Sequence, residues 1–419
     1  MKANLGIAFV TGRTQFKDVL NTYFLNWLEH DLLENDNVNL HLFVVYDVTY
    51  QDVSREQFRP LAPEIEAKLA SVNFYGRGEI AAEKNRLVRE NLLDADEADL
   101  LFGEGYAKKR NAAMHFALQN NMDRLLFLDD DEYPVAVTRA TNGRLSWTGQ
   151  SIVGTHLRYA SNADITNGLH CGYISPIPRV EFDRHLTEGN FKSFIEAISN
   201  DIISWESVKR TIIDNGGITY ADSNLVANPE VSIVRERDRR KFISGANLCI
   251  RLDRSRTLPV FYNPPGARGE DAFMSTMLTD LTVARVPCYT FHDAFGQYQH
   301  VLSGVLPHKL KAANPRAPKT VSRFVKAAVG WVRYKPLLTY ITHRADYDLI
   351  MNEALYKLDA TVPNLCSHFN TPRFKAISAE FREYHSLVRD HFAEFEATTD
   401  AWAKLTRTHS PVRATAVRV

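Results

Sequence analysis

The stretch Arg124–Pro134, RLLFLDDDEYP, runs a short apolar segment into four consecutive acids, Asp129, Asp130, Asp131 and Glu132. Carboxylates this close repel one another, and burying them without partners is expensive. A bound divalent cation removes that cost, and clustered carboxylate oxygens suit Mg²⁺ or Mn²⁺ holding a diphosphate. In an extended or turn segment Asp129 and Asp131 point to the same side, which makes them the expected metal ligands with Asp130 beside them. A solvated acidic turn is the plain alternative; the apolar run in front weighs against it. A second acidic pair, Glu270–Asp271, opens a helix whose buried face is Phe273, Met274, Met277 and Leu278. Acids favour helix N-termini for macrodipole reasons alone, but the approach NPPGARG is longer than a cap requires and fits a loop that closes over a ligand. Downstream, His292 in CYTFHDAFGQYQH offers a nitrogen ligand.

The elements that must hold these groups are readable from periodicity. Leu5–Val10 and Val38–Asp47 have the character of buried strands, and the segment between them carries a helical stripe through Phe16, Leu20, Tyr23 and Trp27. A second helix spaces Ala107, Asn111, Met114 and Leu118 before the RLLFL strand. Successive β-α-β units predict an open, mostly parallel Rossmann-like α/β sheet with flanking helices, whose ligands sit beyond the carboxyl ends of its strands. Asp47 and Asp129 both lie at such ends. The stretch from about 151 to 241 mixes short strands, a turn-rich HCGYISPIP and a helix near Phe191–Ile198, and is read as a substrate-shaping insertion. KFISGANLCIRL and RVPCYTFHD are the last strands expected. From about 306 to 419 the pattern is helical.

Lys plus Arg and Asp plus Glu are 50 each in 419 residues, so no net charge points to nucleic acid. Cys171, Cys249, Cys288 and Cys366 stand singly, which argues against a zinc knuckle or a disulfide framework. No segment reaches the roughly 18 apolar residues that a membrane span needs, and the chain reads as cytoplasmic.

Taken in order, the strand-end Asp47, GYAKKRN, the DDD of Asp129–Asp131, SGANLCIR around Gly245, the GED of Gly269–Asp271 and His292 resemble a GT-A fold glycosyltransferase, most similar to the inverting family 2 type, over residues 1–305. The resemblance implies a metal-dependent enzyme moving a sugar from a nucleotide-sugar, UDP-sugar favoured, to a hydroxyl of a glycan or glycolipid. It implies that Asp129, Asp131 and His292 hold Mn²⁺ or Mg²⁺. Asp47, Lys109, Arg110, Asp130 and Gly245 would lie along the donor, Asp271 would be the general base and Glu270 would position the acceptor. The opening FVTGRTQ departs from the usual family 2 pattern, as does the length of the insertion. Retaining enzymes share the fold, so inversion rests on Asp271. A phosphatase of the haloacid-dehalogenase type also places DxD after a strand, but here Tyr133 stands where Thr or Val is expected. An inactive carbohydrate-binding or scaffold protein of the same fold is the non-enzymatic alternative.

Lys309–Arg344 contains nine Lys or Arg and no acid. Solvated helix faces account for that. RFVKAAVGWVRYKPLL, interleaving Arg323, Lys326, Arg333 and Lys335 with Phe324, Val325, Val329 and Trp331, also fits peripheral contact with an anionic inner membrane face, and homodimerisation through the same helices is equally permitted.

Overall fold

The computed structural model describes residues 2–34, 37–199, 204–253 and 257–408. Two regions outlined above therefore extend outside the described residues, at 200–203 and at 409–419. Within them the chain forms eleven strands: β1 Ala3–Thr11, β2 Val38–Tyr46, β3 Ser71–Tyr75, β4 Arg124–Leu128, β5 Glu132–Tyr133, β6 Val135–Arg139, β7 Leu145–Gly149, β8 Ile165–Tyr173, β9 Ser232–Ile233, β10 Leu248–Arg251 and β11 Val283–Asp293. The helices that matter below are α1 Phe16–Glu29, α2 Arg77–Arg89, α3 Tyr106–Gln119, α4 Glu188–Ile198, α5 Glu270–Ser275, α6 Pro318–Thr342, α7 Tyr347–His368, α8 Lys375–Ser386 and α9 Val388–Thr408.

The main sheet has the order β3-β2-β1-β4-β10-β8-β11-β5, with β9 also on β11, while β6 and β7 form a separate hairpin. Strands β3, β2, β1 and β4 are parallel, as is β8 with β11. The sheet is nevertheless mixed rather than mostly parallel, because β10, β5 and β9 run antiparallel to their neighbours. Around β1 the strand order reverses: β2 leaves on one side and β4 lies on the other. The carboxyl ends of β1, β2 and β4 therefore bound a crevice of the kind in which open α/β sheets bind ligands.

Each face of the sheet is covered. On one, Leu5, Ile7 and Phe9 of β1 pack with the Phe16, Leu20, Tyr23 and Trp27 stripe of α1. On the other, Ala8 and Val10 meet Ala112, Ala113, Met114 and Ala117 of α3. The expected strand and helix for these segments are both present. Two sequence expectations need correction. The stretch 151–241 is not simply an insertion, since β8 lies inside the sheet between β10 and β11; its buried Thr166 and Asn167 disguise the strand as polar. KFISGANLCIRL is strand only from Leu248, because Asn247 takes φ 49° and the preceding residues leave the sheet to reach the crevice.

The helical region forms a further core in which Phe324, Val325, Ala328 and Trp331 of α6 pack with Phe191, Phe194 and Ile195 of α4 and with Leu358 of α7. Fully burying one such aromatic contributes about 1.5–3 kcal/mol. The apolar residues interleaved with the basic run thus face the interior. Of the basic ones, Arg333 is held by Glu380 at 2.7 Å and Lys335 donates to Ser199 O at 2.7 Å, so any contact with a lipid surface rests on the remaining exposed charge. No helix of the described residues is long and apolar enough to cross a membrane.

Candidate active site

Strand β4 is buried from Leu125 to Leu128 and ends where charge begins. The backbone then turns at Asp130–Asp131 instead of continuing extended, which breaks the alternation that would place Asp129 and Asp131 together. Asp130 and Asp131 are the pair that converges. Arg13 NH1 lies 2.7 Å from Asp130 Oδ1 and 2.9 Å from Asp131 Oδ2, and Thr11 Oγ1 donates to Asp130. Asp129 instead faces Arg110, 3.4 Å away.

Short β5 returns antiparallel along β11 and pairs Glu132 with His292, which delivers that ring to the acidic turn. His292 Nε2 is 3.3 Å from Asp131 Oδ1. Burial opposes a charged imidazole, yet Asp131 outweighs it and pushes His292 up to about 9. Burial likewise raises Asp131, but His292 and Arg13 reverse this and hold it well below the usual carboxylate range. Asp129 has only the more distant Arg110 against burial and three neighbouring acids, and is pushed up to about 7. Glu132 turns away from the crevice: its carboxylate meets His170 Nδ1 at 3.1 Å and accepts from Thr290 Oγ1 at 2.5 Å.

Asp47 follows β2 directly. Its Oδ2 pairs with Lys109 Nζ, and its Oδ1 accepts from Thr49 N at 2.9 Å and Thr49 Oγ1 at 2.7 Å. Although burial acts the other way, the Lys109 and Thr49 contacts lower its pKa. Asp47 and Lys109 together line a cavity of about 320 Å³ with Tyr46, Arg77 and Lys84, and a smaller one with Thr11, Gly12, Tyr50 and Tyr106.

Across the crevice, Gly269 turns with φ 89° against the Tyr334 ring and starts α5. Asp271 Oδ2 accepts from Gly245 N at 3.0 Å, and Oδ1 from Ala272 N at 2.9 Å. A helix N-terminus favours the ionised form of a carboxylate. Burial, with Glu270 adding, wins over Arg110 and both N–H groups and pushes Asp271 up to about 6. Arg110 does not line the crevice as expected for a donor-binding residue: it is buried between the Phe127 and Phe261 rings, donates to Gly245 O at 2.5 Å and lies 3.4 Å from Glu270. It ties the acidic turn, the Gly245 peptide and α5 into one rigid unit.

The structure therefore gathers Asp129, Asp130, Asp131, His292, Glu270, Asp271, Gly245, Asp47 and Lys109 around one crevice. Among the described residues no group of three or more His, Cys, Asp or Glu side chains is arranged ready for a metal ion. The residues nonetheless fit a hard divalent cation, because the point where Asp130 and Asp131 oxygens converge is already a cation position, filled by the guanidinium of Arg13. Arg13 and Thr11 were missed at the sequence level; the available signal was their place immediately after a strand, next to the strand that carries the acids.

Neither protein-family models nor curated proteins match the chain.

Proposed function

We propose that the chain is a GT-A type glycosyltransferase that moves a sugar from a nucleoside diphosphate sugar, with uridine favoured, to a hydroxyl of a glycan or glycolipid, with inversion. The observation that carries this reading is geometric: Arg110 lies 3.4 Å from Asp129 of the acidic turn and 3.4 Å from Glu270 at the start of α5, and so holds two acid groups side by side, with Asp47 following β2. Asp131 is held strongly ionised by His292 and Arg13, as a cation ligand must be, and Asp271, raised by burial as Asp129 and Asp130 also are, is the one of these acids placed at the start of α5, where a general base can face an acceptor. The cavity beside Asp47 accommodates a nucleobase, whose N–H can donate to a remaining lone pair of that carboxylate.

In this reading Asp271 takes the acceptor proton while the hydroxyl oxygen bonds to the anomeric carbon. The bond from that carbon to the diphosphate oxygen breaks, and its electron pair leaves with the diphosphate. Glu270 positions the acceptor. Asp130 and Asp131, with Asp129 and His292 alongside, would hold Mn²⁺ or Mg²⁺, which when bound supplies positive charge to the leaving diphosphate. His292 must lose its proton to act as a ligand, and Arg13 must withdraw from the two aspartates.

The position of Arg13 favours one second reading: a carbohydrate-binding or scaffold protein whose cation position is permanently filled by its own side chain. A panel of nucleotide-sugars incubated with Mn²⁺, followed by NMR of the anomeric configuration, separates these. Turnover with inversion supports the proposal, retention moves the base away from Asp271, and nucleotide binding without turnover of any donor favours the scaffold.

A further inference from the structure

Two more guanidinium groups lie near the acidic turn, one on α6 and one on the loop ahead of α5. Arg323 projects from α6, half-buried, with its Cζ 5.6 Å from the Phe295 ring centroid. It lies within electrostatic reach of Asp131, Arg13 and Arg268. Arg268 comes from the loop ahead of α5, and its stem crosses α6 at Gly330: a Cβ there would stand 2.8 Å from Arg268 Cγ. Glycine is disfavoured in helix interiors, and here it leaves the notch that aims Arg268. Beyond the notch, Arg268 lines a cavity of about 220 Å³ with Ser207, Thr211, Trp331 and Tyr334. Arg13, Arg110 and Arg333 all have acid partners. Arg268 and Arg323 make no side-chain hydrogen bond or ion pair among the described residues. Asp130 and Asp131 are already engaged by Arg13, so the half-buried Arg323 meets the repulsion of Arg13 and Arg268 with no direct acid partner, and an incoming anion offsets that repulsion.

We propose that Arg268 and Arg323, with Arg13, form a binding site for a phosphate-type anion over the acidic turn, contributed largely by the helical side of the crevice. Planar guanidinium forks match phosphate oxygens. The anion is either the diphosphate of a donor or a phosphate carried by an acceptor. This site extends the glycosyltransferase reading without requiring it, since binding is read without turnover.

The test is calorimetric titration of the full chain with inorganic pyrophosphate in EDTA. Arg268→Gln and Arg323→Gln should each weaken binding about 10- to 100-fold, while Lys326→Gln, an exposed charge on the same helix, should not. Gly330→Ala should weaken it too, because the added methyl would stand 2.8 Å from Arg268 Cγ and displace that stem. Loss of pyrophosphate binding in saturating UDP assigns the site to a donor; Arg268-dependent binding that persists in UDP assigns it to an acceptor. Equal affinity in the wild type, Arg268→Gln and Arg323→Gln overturns the inference, and Arg268→Gln, in an exposed loop, decides the matter if the Arg323 variant fails to fold.

Discussion

Replacing Asp271 by Asn keeps size and one of the two backbone contacts, from Gly245 N or Ala272 N, and removes the basic oxygen, because the amide NH2 cannot accept from the second N–H. General-base assistance is typically worth about 10²- to 10⁴-fold, so kcat should fall by that factor while UDP affinity, set across the crevice at Asp47, stays unchanged. The pH profile is more specific. With Asp271 pushed up to about 6, about one molecule in ten carries the free carboxylate at pH 5, so wild-type kcat/KM should be about tenfold below its plateau there and level off above about pH 7. The variant should lose that limb. Stability should move the other way. A carboxyl whose folded pKa lies above its ordinary value of 3.8 contributes stability below about pH 4, which is lost as pH rises through about 6. Relative to the wild type, Asp271→Asn should therefore gain about 1–3 kcal/mol between pH 4 and pH 7, the smaller figure applying where crevice water screens the charge, on top of a pH-independent loss for the N–H that the amide cannot satisfy. Denaturant unfolding at pH 4 and pH 7 measures this beside the rate assay. A variant that transfers sugar at the wild-type rate, or whose stability relative to the wild type does not rise between pH 4 and pH 7, refutes the assignment of Asp271 as a buried base.

Arg13→Gln should destabilise the metal-free chain by about 1.5–3 kcal/mol, since two charge-assisted contacts disappear, and should show a larger Mn²⁺-induced rise in thermal midpoint than the wild type; equal rises would mean that Arg13 does not occupy the cation position. Excess EDTA, or Asp131→Ala, should abolish transfer, and undiminished turnover in either case removes the metal from the proposal. Asp47→Ala should weaken UDP binding in calorimetry with little effect on GDP, whereas tighter GDP binding by the wild type would contradict a uridine donor. Vesicle sedimentation should show only weak attachment to anionic lipid that vanishes near 0.15 M salt, because the apolar residues of α6 are buried; salt-resistant binding would show that some other apolar surface inserts.

The strand-end acids were legible because a short apolar run bounded at once by charge, after a helical segment, fits a buried strand, and α1 was legible from its stripe. Pairings across the sheet were not. That Arg13 meets Asp130 depends on β1 and β4 being neighbours, and their adjacency is set by packing on both faces rather than by either segment. Strand β8 was hidden for a different reason. Its polar residues look solvated in one dimension, yet Thr166 shares His156 with Asn247 at 2.7 and 2.8 Å, and Asn167 accepts from Ser244 N at 2.9 Å. Buried polar groups satisfied by distant partners leave no periodic trace. The interleaved basic and apolar residues of α6 suited a lipid surface only because nothing local announced α4 and α7 as the layer that covers them.

Helix α9 closes the α3 side of the sheet from far along the chain. Ala401, Trp402 and Leu405 of α9 fill the same core as Met114 of α3 and Phe127 of β4, while Lys404 reaches Glu97 at 2.6 Å. A ribosome releases the chain from its N-terminus at about 5–20 residues per second, so β1 to β4 emerge some tens of seconds or less before the side chains that seal them. During that interval the α3 side of the sheet presents an open apolar face. The nascent protein should thus engage holding chaperones until residue 405 has cleared the exit tunnel, and stop codons introduced anywhere between the acidic turn and Trp402 should yield aggregates rather than a smaller folded product.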